Sequence, residues 1–159
     1  MDSTEQDHST RNQCPFCQIV AGTASALVVY ECDQAIAFLD HRPLLPGHCL
    51  LVPKAHYPTL TDLPAALVEP FFTAAQLLTR AIELGMNAEG SFVAINNRVS
   101  QSVPHLHVHI VPRRRKDGLF TTGFVWKRRP YPDEAAALAV QQAIREAVRR
   151  LASSSEGDE

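Results

Sequence analysis

No stretch of the 159 residues approaches the ~18–20 consecutive apolar positions of a membrane span. The opening residues, MDSTEQDHSTRNQ, hold no hydrophobic signal core, so a cytoplasmic location is expected. A strong charge of either sign is missing as well. Lys and Arg total 15 against 17 Asp and Glu, which argues against nucleic acid as the primary partner. Cysteine is sparse, with four residues, and in that compartment these read as thiols or metal ligands rather than disulfides. There is no Walker-type lysine loop, no GxGxxG and no HExxH, so none of those devices can be credited with phosphate or metal chemistry. Internal repeats are absent too. What remains is an ordinary composition, 45% hydrophobic and 20% charged, in a chain long enough for one domain with a proper core.

The order of elements reads as α+β. Residues 1–13 and the tail 153–159 are polar and expected to be disordered. PFCQIVAG suits a short helix closed by Gly22. ALVVYE and AIAFLD are strand-like runs joined at CDQ. HRPLLPGH is a loop dictated by Pro43, Pro46 and Gly47, and it feeds the strand CLLVP. Apolar residues recur at helical spacing from Leu63 to Leu84, with Thr61 or Asp62 as the expected cap and Pro70 as a kink or late start. SFVAIN is another strand, and DEAAALAVQQAIREAVRRLA is a last helix, acidic at its start and basic at its end.

Chemistry concentrates in the centre. His105, His107 and His109 alternate with Leu106, Val108 and Ile110 between Pro104 and Pro112, the pattern of a strand that shows all three imidazoles on one face. A helix would swing His107 about 200° away from its neighbours, at about 100° per residue. Neighbouring backbones in the row lie roughly 6.5–7 Å apart, too far for three histidines to share one zinc at ~2.0–2.1 Å. A division of labour fits better: one end for a metal, the centre for attack, the other end for substrate. Neutral imidazole is nucleophilic near neutral pH and forms phospho-intermediates, provided an acceptor pins its remote nitrogen.

Around the row, Cys14-Pro-Phe-Cys17 offers half a zinc site, with a redox pair and inert thiols as competing readings. His48, on the Pro-Gly loop, and one histidine of the row are the better candidates for the other half. Gln101 and Ser102 enter the row on a loop and can bond phosphate oxygens, although taken alone they are ordinary turn residues. Asp40 ends a strand, where a carboxylate can hold a ribose diol. Arg113, Arg114, Arg115 and Lys116 either raise local phosphate concentration or form a solvated charge run.

The motif His105-Leu106-His107-Val108-His109-Ile110-Val111 resembles the signature of the histidine-triad (HIT) superfamily. CPFCQIVAG, VVYECDQAIAFLDHRPLLPGHCLLVPKAH and FVAINNRVSQSVPHLHVHIVPR resemble successive segments of that family over residues 14–115. The resemblance implies a five-stranded antiparallel sheet with a central and a C-terminal helix, assembled as a homodimer. Residues 14–115 would then be the HIT domain and 116–152 a C-terminal extension ending in the last helix. It also implies a hydrolase or transferase acting at the α-phosphorus of a purine nucleotide. His107 would be the nucleophile and His109 a phosphate contact, with Gln101, Ser102 and Asn96 nearby and Asp40 on the ribose with His41 beside it. Zinc-containing relatives place one structural Zn2+ per chain on residues matching Cys14, Cys17, His48 and His105.

The loop NRVSQS departs from the family in having no glycine, so Arg98 is a candidate substitute for backbone phosphate donors. In the family the C-terminal segment can reach a partner subunit's site, so Trp126 and Arg128 in the extension are candidate substrate contacts, with packing the alternative for Trp126. Ser102, in its QSV context, resembles the phosphoramidase branch, which implies phosphoramidate substrates before dinucleoside polyphosphates. A phosphorylase or nucleotidyltransferase and a non-catalytic nucleotide-binding protein are the competing functions. His109 argues against the transferase, because related uridylyltransferases carry glutamine there.

Overall fold

The structure, a computed structural model, describes residues 13–121 and 127–155. The expected disorder of the first twelve residues and the contact assigned to Trp126 lie outside the described residues. The expected elements recur in order. Helix α1 spans Pro15–Val20, followed by β1 (Val28–Glu31), β2 (Ala35–Leu39) and β3 (Cys49–Pro53). After a 3-10 turn at Leu60–Asp62 come α2 (Ala65–Gly85), β4 (Gly90–Ala94), β5 (Val108–Arg113) and α3 (Glu134–Ser155). The strands form one five-stranded sheet in the order β1-β2-β3-β5-β4, with every neighbouring pair antiparallel. No helix among the described residues is long and apolar enough to cross a membrane.

Period-two alternation sorts the sheet's two faces. Ala35, Ala37, Leu39, Cys49, Leu51, Val108 and Ile110 join Phe71, Leu78, Ile82 and Ile144 of α2 and α3 in the main core. Ile36, Phe38, Leu50 and Val52 point the other way and pack on Cys14 and Phe16 of the α1 segment. Leu50 stands opposite His109 in the β3–β5 ladder, so the histidine face is the α1 face. β2 is buried along its whole length, AIAFL, because helices cover one side and α1 the other.

Two helix boundaries depart from the sequence reading. Asp62 does not cap α2. Its carboxylate accepts the Thr59 N–H and hydroxyl at 3.0 and 2.6 Å, which closes the 3-10 turn instead. α2 then starts after Pro64, whose missing N–H costs nothing at a helix entry. The last helix continues to Ser155, beyond the expected end at Ala152. Ser153 and Ser154 hydroxyls donate to the carbonyls of Arg149 and Arg150, which satisfies acceptors of the final turn.

The helices meet at Gly85. A Cβ built there would lie 2.8 Å from the Ala143 carbonyl oxygen and 3.1 Å from Ile144 Cα, both backbone atoms of α3. Gly85→Ala should therefore lower the free energy of unfolding by about 1–3 kcal/mol in urea titrations. Gly90→Ala, whose Cβ meets nothing within 4 Å, serves as the control.

Candidate functional site

The histidine row is less regular than a strand. β5 begins only at Val108, so His105 and His107 lie on an extended approach to it. The reason is a competing partner: the Leu106 N–H donates to the Tyr57 carbonyl at 2.6 Å rather than entering the ladder. All three imidazoles are nonetheless buried, at 0, 3 and 5% exposure, and the rings of His107 and His109 are 4.9 Å apart.

Hydrogen bonds give each ring a definite tautomer. His107 Nδ1 is 2.7 Å from the His105 carbonyl, which can only accept, so Nδ1 carries the proton and Nε2 keeps its lone pair. His105 Nε2 faces the Pro53 carbonyl at 2.8 Å in the same way, which leaves Nδ1 as its ligand atom. The Leu44 N–H donates to His48 Nδ1 at 3.1 Å. His48 must then donate from Nε2 to His109 Nδ1, 3.0 Å away, and the proton of His109 sits on Nε2. Burial is the chief cause holding these rings neutral. It lowers His107, pushes His48 and His105 down to about 4 and His109 to about 3.

Asp40 closes this end of the site. Its Oδ1 accepts the Arg42 N–H at 2.9 Å and its Oδ2 accepts from Arg128 at 2.7 Å. His48 Nδ1 lies 3.7 Å from Oδ2 without forming an ion pair, because that nitrogen already accepts from Leu44. His41 is 90% exposed, with Nδ1 3.9 Å from Asp40 Oδ1.

The loop before the row solves its lack of glycine by strain. Arg98 and Ser100 take φ values of 66° and 60°, the left-handed region that glycine adopts without steric cost. Gln101 fastens this loop: its Oε1 accepts the Arg98 N–H at 2.8 Å and its amide donates to the Pro58 carbonyl at 2.6 Å. Asn97 Oδ1 accepts the Leu60 N–H at 2.9 Å. Asn96 follows β4 half-buried, and Ser102 is exposed. The basic run is structural in large part. Arg113 makes a two-pronged bond to Asp117 at 2.6 and 2.9 Å and lies 4.7 Å over the Phe120 ring. Arg114 donates to the Met86 carbonyl, and Arg115 approaches Glu89.

At the other end, Cys14, Cys17, His56 and His105 bring one ligand atom each within 4.8 Å of one another. This corrects the expected ligand set, in which His48 held the place that His56 takes. The register explains why. With Leu50 opposite His109 and Leu51 opposite Val108, His105 lies beyond the Pro53 end of β3, whereas His48 sits at the start of that strand. His56, three residues past Pro53, is on the correct side. Histidine spacing alone carried no signal for this; the antiparallel register of CLLVP against the triad would have. The His105 and His56 Nδ1 atoms stand 3.3–3.5 Å from the cysteine sulfurs. Tetrahedral zinc, with bonds of ~2.3 Å to sulfur and ~2.0–2.1 Å to nitrogen, requires a separation of about 3.5 Å. The donor set fits that ion. Phe16, between the two cysteines, puts its ring edge-on to both His105 and His107, at 5.8 and 5.3 Å.

A five-stranded antiparallel sheet with three buried histidines at alternate positions, backed by a Cys2His2 cluster, defines a histidine-triad protein. Residues 21–116 match the HIT domain, and the chain belongs to the HIT family, a superfamily of nucleotide hydrolases and transferases. Protein hit of Bacillus subtilis is 35% identical over 92% of this chain and 99% of its own. An adenylylsulfatase of Arabidopsis thaliana is 33% identical over 76% of this chain, which spans 62% of that enzyme's length. Among solved structures, a zinc-bound histidine triad family protein from Mycobacterium smegmatis superposes with a TM-score of 0.79 at 35% identity, covering 91% of this chain and 99% of that one.

His48 and His109 are neutral in the fold well below 6.5, the value of an unperturbed imidazole. Unfolding therefore takes up protons below that pH, and stability present above 6.5 is lost as the pH falls toward 4. Denaturant titrations across this window should show the decline. His48→Asn, which removes one of the groups, should make it shallower.

Proposed function

We propose that the protein hydrolyses nucleoside 5′-phosphate derivatives at the α-phosphorus through a nucleotidyl-His107 intermediate, with phosphoramidates the preferred substrates. The observation that carries this reading is the tautomer of His107. Its Nδ1–H is committed to the His105 carbonyl, so the neutral ring presents a single lone pair, on Nε2. In the first step that pair forms the P–N bond as the bond to the leaving group breaks. The ring becomes cationic, and the His105 carbonyl then accepts a charge-assisted hydrogen bond. In the second step water forms the new P–O bond, the P–N electron pair returns to Nε2, and the water proton goes to solvent.

His109, with its proton on Nε2 by way of His48, is suited to donate to an α-phosphate oxygen. Asp40 would accept the ribose hydroxyls, with His41 beside it, and Asn96 would lie near the phosphate. Gln101 supports the same region by fastening the loop, and Ser102 would pass a proton to a departing amine. A second reading, dinucleoside polyphosphates or adenylyl sulfates as substrates, draws support from relatives named as an adenylylsulfatase and, in Schizosaccharomyces pombe, an asymmetrical bis(5′-nucleosyl)-tetraphosphatase. Their leaving groups depart as anions and need no proton.

One zinc per chain on Cys14, Cys17, His56 and His105 would be structural, since four protein ligands leave no open position. It would tie α1 to the strand approach that carries His107. A homodimer is part of this reading. Among the described residues β4 has a ladder partner on one side only, and its Val93 is 46% exposed.

Mass spectrometry of protein quenched with adenosine phosphoramidate, diadenosine tetraphosphate or adenylyl sulfate should detect an added AMP on His107. In His107→Ala the adduct should vanish and turnover fall by a factor on the order of 10⁴ or more. No adduct and no turnover with any of the three would leave a nucleotide-binding protein instead. Metal analysis separates the two ligand sets: His56→Ala should lose the zinc that His48→Ala retains.

A further inference from the structure

The carboxylate proposed for the ribose already has an occupant. Arg128 Nη1 donates to Asp40 Oδ2 at 2.7 Å and to the Arg42 carbonyl at 2.8 Å. Its neighbours are fastened to the same loop. The Arg129 N–H donates to the Pro43 carbonyl at 2.7 Å, and the Tyr131 hydroxyl accepts the Gly47 N–H at 3.0 Å. Residues 128–131 thus lie as a strap along the 40–48 loop, with the guanidinium at its site end. The Asp40 side chain is 7% exposed and that of Arg128 30%, so the cation is the more accessible member of the pair. Asp40 Oδ1 is engaged as well, by the Arg42 N–H. A sugar hydroxyl therefore meets a carboxylate whose two oxygens both have donors.

We propose that Arg128 is a specificity-determining residue that couples ribose recognition to charge at the phosphate. It latches Asp40 in the nucleotide-free protein, and the 2′,3′-diol of a ribonucleoside takes its place. The released guanidinium then turns to the phosphate groups beside His107 and His109; its partner Asp40 Oδ2 lies 3.7 Å from His48 Nδ1, and His48 Nε2 lies 3.0 Å from His109 Nδ1. A guanidinium suits this exchange, because its planar fork serves carboxylate and phosphate equally well. This proposal rests on Asp40 being the ribose site.

The consequence is specific. A ribonucleoside must break the ion pair to bind, whereas a sugar without hydroxyls leaves the latch shut and the cation unavailable. Calorimetric titration of wild type and Arg128→Ala with adenosine, 2′,3′-dideoxyadenosine and AMP reads this directly. Adenosine should bind about three- to tenfold tighter to Arg128→Ala, the range expected for one partly exposed charged pair. Dideoxyadenosine should be unchanged, and AMP should gain less than adenosine because the variant lacks the cation for its phosphate. Arg128→Lys, which keeps the charge but not the fork, should fall between.

Wild type alone gives a second readout that no misfolded variant can obscure. Adding a 5′-phosphate should raise affinity more for adenosine than for 2′,3′-dideoxyadenosine, because only the diol frees the cation. Adenosine affinity that is unchanged or weaker in Arg128→Ala, or an equal gain for dideoxyadenosine, would overturn the latch. If Asp40→Asn has no effect on adenosine affinity in the Arg128→Ala background, the ribose assignment itself fails, and the latch with it.

Discussion

β3 and β5 lie antiparallel with Leu50 opposite His109, and this pairing separates three chemically identical side chains. It sends His105 past the Pro53 end of β3, where the cysteines of α1 and His56 wait, and leaves His109 beside His48 at the other end. His107 falls between the two clusters. A slip of one residue would turn the imidazoles into the helix-packed core and bring Leu106, Val108 and Ile110 to the reactive face. The pairing is held because those three apolar side chains are fully buried against α2 and α3, so packing on one face enforces the chemistry on the other.

Electrostatically the site is a neutral interior with charge at its rim. His48, His105, His107 and His109 are kept uncharged mainly by burial, and the hydrogen bond made by one ring nitrogen decides what the other can do. Two backbone carbonyls, of His105 and Pro53, and one backbone N–H, of Leu44, set all of these states. Backbone groups are suited to the task because they cannot titrate. Asp40 and Arg128 pair with each other at that rim, 2.7 Å apart.

Much of this was legible in the residues, and the failures share a physical form. Period-two alternation and Pro/Gly punctuation located β3 to the residue, and the CPFCQIV segment formed its short helix as read. The family resemblance supplied the five-stranded antiparallel sheet and the roles expected of His105, His107 and His109. What local pattern could not carry was choice among partners far apart in the chain. His56 outcompetes His48 for the cysteines because of strand register, which no local spacing records. Asp62 bonds Thr59 rather than α2, and Gln101 turns to the backbone of Arg98 and Pro58. Arg113 is absorbed by Asp117 and Phe120. Arg128, a candidate substrate contact, bonds the Asp40 carboxylate of its own chain.

The two faces of the 105–110 segment have a consequence for how such a protein tolerates change. Even-numbered positions there touch only the helix-packed core, so sequence drift at them is filtered by whether the chain folds. Odd-numbered positions carry His105 of the Cys2His2 cluster, His107 with its lone pair on Nε2, and His109 bonded to His48, so drift at them is filtered by what the folded chain can do. Selection for abundance and selection for chemistry thus act on alternate residues of one short stretch. A variant can lose its reaction while remaining a well-folded member of the family, and the histidines, rather than the fold, are where such a divergence would be written.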